Sequence, residues 1–187
     1  MPEAFPAGCS TYADDAMRFE NYRWLLIPVM AIHNLEEWAT FPAYGSISPT
    51  LATHGVVSLA EPPWRVMEVA WVIVTVLPSV LVIAAAGARH SRLLDTLVCW
   101  VASIYLANAF IPHAIDLVIG GKYAPGVATA LLLNLPFCSL LLRQAAREHY
   151  LTPRQVVMVG AVGFVSIVPV LLAVFAIASA ITEVLGL

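Results

Sequence analysis

The chain has 187 residues, 60% hydrophobic and 11% charged, with a mean hydropathy of +0.85 and a net charge of −3. That composition excludes an ordinary soluble domain and describes a polytopic membrane protein. Its nine basic residues are scattered, which argues against a nucleic-acid partner, and Cys9, Cys99 and Cys138 make neither a disulfide framework nor a C-x-x-C zinc pair.

Residues 1–23 are polar and acidic, and Tyr12, Ala16 and Phe19 can form one face of a short interfacial helix in a cytoplasmic N-terminal segment. No apolar h-region precedes Cys9, so neither a lipoprotein site nor a cleavable signal peptide is expected. The first span covers 24–41, WLLIPVMAIHNLEEWATF, and ends in Trp38, Phe41 and Pro42. Residues 43–64 carry Gly, Ser and Pro and make the longest loop. A second span runs over 65–86, stopping at Gly87, Arg89, His90 and Arg92, and a third over 93–119, with Pro112 inside it. The turn Gly120 to Gly126 leads into a fourth span at 125–142, and a polar connector bearing Arg143, Arg147 and Arg154 leads into a fifth at 155–181. The expected fold class is therefore all-α: a polytopic transmembrane bundle of about five spans, with 24–187 as a single bundle.

Five spans place Arg18, Arg23, Arg89, Arg92, Arg143, Arg147 and Arg154 on one side and leave Arg65 and Lys122 opposite. The positive-inside bias then sets the N-terminus in the cytoplasm and the C-terminus outside, in a plasma (inner) membrane.

The first span holds an energetic anomaly. Glu36 and Glu37 sit in an apolar helix where each ionised carboxylate costs on the order of 2.5–3.5 kcal/mol on insertion scales. At about 100° per residue, Glu36 and Glu37 flank His33 on one narrow face. A rise of about 1.5 Å per residue from Arg23 puts that face in the outer half of the bilayer. Glu68, Asn108, His113, Asp116 and Thr129 fall at the same level in other spans, and together they outline a polar chamber there. Trp24, Trp64, Trp71 and Trp100 read as lipid-facing or packing aromatics, and Tyr123 as either an interface anchor or a site residue.

Imidazole and carboxylates at i, i+3 and i+4 can converge on one ion, so His33, Glu36 and Glu37 form a candidate metal site. His113 and Asp116 can complete it, in a set compatible with Zn²⁺, Fe²⁺ or Mn²⁺. The corresponding function is a membrane-embedded enzyme, a metal-dependent hydrolase or a lipid-modifying enzyme, acting on an apolar or amphiphilic small molecule or a membrane lipid. Glu37 or Glu36 would serve as general base. The same residues suit metal-free acid–base chemistry, with a buried carboxylic acid partnered by His33. Two other readings use the same groups: a small transporter or channel whose carboxylates handle protons or cations, and a polar network that only pins helices together.

His33-Asn34-Leu35-Glu36-Glu37 in a first span, Asn108 and His113 in a middle span, and Pro125-Gly126-Val127-Ala128-Thr129 together resemble the HXXEE family of small integral-membrane proteins. Its motifs are H-x-x-E-E, H-E, N-x-x-x-H and P-G-x-x-T. The resemblance covers nearly the whole chain and implies a candidate enzyme or metal site, with no named reaction. Two departures stand out. The H-E pair has no clear match, Met67-Glu68 being the nearest and Glu148-His149 reversed. Asn108 and His113 are five residues apart, which on a straight helix separates them by about 140°. A π-bulge at Pro112 would bring them back together.

Overall fold

The computed structural model describes residues 18–54, 62–88 and 91–187. Cys9, Arg89, His90 and all of the expected interfacial segment before Arg18 lie outside those residues. Six helices are described below: α1 (Phe19–Tyr44), α2 (Pro49–Thr53), α3 (Trp64–Gly87), α4 (Arg92–Val118), α5 (Val127–Arg147) and α6 (Pro153–Leu185). Among the described residues, α3, α4, α5 and α6 are long and apolar enough to cross a membrane. At 26 residues α1 is about 39 Å long, so it matches them in length while carrying the polar face. The protein is an all-helical membrane bundle of about five spans.

Local sequence explains several helix ends. Gly45 takes the left-handed φ of 65° that closes α1, and its N–H bonds the Phe41 carbonyl. Ser91 caps α4 by accepting from the Leu94 N–H. Thr152 and Gln155 form a capping box ahead of Pro153 at the first turn of α6.

In lipid, helices gain little from hydrophobic contact with one another, so close packing and hydrogen bonds must hold them. α4 packs along α6, α3 lies against both α1 and α6, and α5 lies against α4. Small residues permit the approach: Gly163 of α6 sits directly on Ser103 of α4, and Ala102, Ala107 and Ala178 are fully buried. Phe19, Leu26, Met30, Cys99 and Leu141 fill the bundle at the end where α1 begins. Polar pins reinforce that end. Arg23 pairs with buried Asp95 at 3.3 Å and donates to the Ala85 carbonyl at 3.1 Å, tying α1 to α4 and α3. The Tyr150 hydroxyl donates to Glu20 at 3.0 Å.

Two helices depart from α geometry near the opposite end, and the break in α4 lies at the polar face. In α4 the stretch Ala109–Ala114 widens into a π-type turn, with Ile111 extended at φ −126° and ψ 109° and a cis Ile111–Pro112 peptide. Proline cannot donate to the preceding turn, which is the usual origin of such a break. In α5 a second π-type turn occupies Ala130–Asn134, directly after Thr129.

Candidate metal centre

Three helices meet at one point. α1 brings His33 and Glu37, one turn apart on the same face; the broken segment of α4 brings Asn108 and His113; the first turn of α5 brings Thr129. Because α4 breaks at the extended Ile111, Asn108 and His113 face the same way despite their five-residue spacing. The Asn108 amide nitrogen lies 3.0 Å from His33 Nε2 and 3.1 Å from His113 Nε2. Glu37 Oε1 is 3.3 Å from each of the same two nitrogens. His33 and His113 are fully buried, with ring centroids 5.2 Å apart and planes nearly perpendicular.

The surrounding bonds fix which atoms face inward. The Thr129 hydroxyl donates to the Gly126 carbonyl at 3.3 Å, so its oxygen accepts from His33 Nδ1–H at 2.9 Å. That selects the tautomer in which His33 Nε2 carries a lone pair. Asn108 has two amide hydrogens, one for each Nε2. Glu37 Oε2 accepts from the Trp71 indole N–H at 2.8 Å, which turns Oε1 toward the imidazoles. The His33 Nε2 lone pair, His113 Nε2 and a carboxylate oxygen thus converge around the Asn108 amide.

His33, Glu37 and His113 can hold a metal ion. Four-coordinate zinc with bonds of about 2.0–2.1 Å spaces its ligand atoms about 3.3–3.4 Å apart along the tetrahedron edges. Both histidine nitrogens stand 3.3 Å from Glu37 Oε1, in keeping with that spacing. The donor set, two imidazoles and one carboxylate, is that of known zinc sites.

Gly126 makes the approach of α5 feasible. Its φ is +81°, in the left-handed region, and a Cβ there would stand 2.5 Å from Glu37 Cγ and 2.9 Å from His33 Cε1.

Residues 24–141 match the family described as proteins of unknown function with an HXXEE motif. The chain belongs to the HXXEE family. A protein from Bacillus subtilis (strain 168), named as uncharacterized protein YrkK, is 39% identical over 51 residues, 27% of this chain and 32% of that protein. This chain therefore spans about a third of the length of that curated relative. No solved structure matches.

In this HXXEE protein the two glutamates of the motif do different things. Glu37 faces the histidines. Glu36 turns the other way, accepts from the backbone N–H groups of Ala128 at 3.1 Å and Thr129 at 2.7 Å, and takes a further bond from the Tyr123 hydroxyl. Those amides are unsatisfied donors at the start of α5, so Glu36 acts as its cap and holds the Pro125-Gly126 turn against α1. Outside the spans, burial and then the bond to Glu36 raise the Tyr123 phenol above its ordinary pKa.

The remaining sequence-derived candidates lie elsewhere. Asp116 is fully buried but accepts from the Thr50 N–H at 2.8 Å, anchoring α2. Glu68 pairs with exposed Arg65 at 2.7 Å on the surface of α3. Asn34 points away from His33 and bonds Thr75 at 2.7 Å and the Tyr105 hydroxyl at 3.2 Å. Trp71 is the site residue that sequence reasoning passed over. Its signal was available: a buried indole N–H needs an acceptor, and Trp71 lies a turn inside the bundle from Glu68.

Proposed function

We propose that this protein is a metal-dependent enzyme of the inner membrane, acting on an apolar or amphiphilic molecule taken from the bilayer. The observation that carries the reading is the convergence of His33 Nε2, His113 Nε2 and Glu37 Oε1 on one point, with the wall of an apolar cavity beside it. Three ligand atoms crowd together around a single amide group, and a cation would draw them to one point. Of Zn²⁺, Fe²⁺ and Mn²⁺, the two imidazoles and the close ligand spacing suit Zn²⁺ best.

A bound divalent ion supplies Lewis acidity and brings the pKa of a bound water toward neutrality. The chain's own groups do the rest. Thr129 keeps the His33 tautomer, and Trp71 holds the Glu37 carboxylate so that Oε1 faces the site. Glu36 takes no part at the site itself, because both its oxygens are committed to α5 and Tyr123, whereas Glu37 presents Oε1 there as a ligand. Helix α4 breaks where it must present two polar side chains, and the surrounding helices exclude bulk water.

In the proposed orientation the N-terminus is cytoplasmic and the site lies in the outer half of the bilayer. A cysteine at Arg92 is then labelled from the cytoplasm and one at Lys122 from outside; the reverse pattern overturns the orientation. Titrating chelator-free protein in detergent with Zn²⁺ tests the function directly. One equivalent binds the wild type, and His33→Ala or His113→Ala binds it at least a hundredfold more weakly. A wild type that binds no divalent ion refutes the metal reading, and proton uptake into liposomes that disappears in Glu37→Gln replaces the enzyme by a transporter.

A further inference from the structure

The metal-centre residues form one wall of a cavity whose other walls say what it accepts. The cavity is about 160 Å³ and lies among α1, α3, α4 and α6. His33, Glu37 and Asn108 mark its polar end. The rest is apolar, with Met67, Ala70, Ile111, Leu171, Val174 and Phe175 as representative walls. Other polar groups on the lining are already engaged: Asn34 donates to Thr75 and Tyr105, the Tyr105 hydroxyl donates to the Val74 carbonyl, and Trp71 donates to Glu37. No Lys or Arg lines the cavity among the described residues.

Each feature narrows the ligand. An apolar cavity of about 150 Å³ takes a molecule the size of benzene, so about 160 Å³ holds a ring or a chain segment of comparable bulk. Two acyl chains cannot enter together. Walls without a cationic side chain give a phosphate headgroup no counter-charge, and burying an unpaired charge there costs far more than burying a neutral oxygen. The polar groups of His33, Glu37 and Asn108 are gathered at one end, so one oxygen function is recognised there and the remainder of the molecule is held by dispersion contacts.

We infer that the site takes an uncharged, single-chain lipid-like molecule with one terminal oxygen function, of the class of medium-chain alcohols, aldehydes and esters, and does not take two-chain phospholipids. This rests on the proposed function for the location of the reactive end. The ligand class follows from the walls alone, so the two can fail separately.

The test uses metal-free full-length protein in detergent and 2-bromo-1-octanol, whose bromine sits beside the hydroxyl and so quenches Trp71, which bonds Glu37 at the polar end. Quenching saturates in the wild type, with competition by 1-octanol at least tenfold stronger than by octanoate or by dioctanoylphosphatidylglycerol. Ala70→Phe fills the cavity without touching a histidine or glutamate, and Val170→Phe does so from α6; both retain the metal stoichiometry of the wild type while quenching falls at least tenfold. Quenching unchanged in both variants, or octanoate or the two-chain lipid binding as tightly as octanol, overturns the inference. Quenching that behaves as expected in a protein that binds no metal upholds the ligand class and sinks the metal reading instead.

Discussion

Replacing Gly126 by alanine perturbs the site without altering any group that would touch a metal. A non-glycine residue at φ +81° costs about 1–2 kcal/mol in backbone strain. The added Cβ also stands 2.5 Å from Glu37 Cγ and 2.9 Å from His33 Cε1, against an ordinary carbon–carbon contact of about 3.5–4.0 Å. Relieving the overlap moves the Glu37 or His33 side chain by about 1 Å, half the length of a metal–ligand bond of about 2.0–2.1 Å. Disturbing the support of a ligand typically weakens metal binding about 10–100-fold, or about 1.4–2.7 kcal/mol. A competition titration against a chromophoric chelator measures that loss, and thermal unfolding of the metal-free protein measures the backbone strain. Gly160→Ala is the control, since a Cβ there meets nothing within 4 Å and α6 already favours alanine. Wild-type metal affinity in Gly126→Ala would refute the packing of α5 onto His33 and Glu37.

Glu36→Gln keeps the metal stoichiometry but loses charge-assisted bonds to the Ala128 and Thr129 amides, lowering stability by about 1.5–3 kcal/mol, whereas Glu37→Gln loses the metal; equal metal loss in both variants contradicts the division of roles. Asp116→Ala leaves the Thr50 N–H without its acceptor, costing about 1–3 kcal/mol, and speeds proteolysis around α2 with metal stoichiometry unchanged. Outside the spans, burial and the bond to Glu20 push the Tyr150 phenol up from 10.0 to about 12. A raised folded-state pKa means its contribution is fully present below about pH 10 and lost as the pH rises through about 12. Thermal stability therefore falls more between those values in the wild type than in Tyr150→Phe; parallel curves contradict the assignment.

The helical bundle was legible because long apolar runs punctuated by Gly, Pro and Arg have few other solutions in a membrane. His33 and Glu37 were legible for the same reason, as an uncompensated polar cost inside such a run. Resolution ended where side-chain direction depends on another helix. Helical spacing treats Glu36 and Glu37 alike, and only the docking of α5 separates a cap from a site carboxylate. Asp116 shares the depth of His113, yet its partner is a backbone amide in the loop after α1, which periodicity in α4 does not reveal. Trp71 looked like any interfacial or packing aromatic until Glu37 was seen to be its acceptor. Pro112 went the other way: the five-residue spacing of Asn108 and His113 required a distorted helix if both were to meet His33, and α4 is distorted there.

X-ray absorption at the metal edge of the zinc-loaded protein tests the central claim most directly. The expected spectrum has a first shell of nitrogen and oxygen at about 2.0–2.1 Å with imidazole outer-shell scattering from two histidines, falling to one histidine in His113→Ala. An oxygen-only shell without histidine scattering, or a spectrum unchanged by His113→Ala, would contradict it.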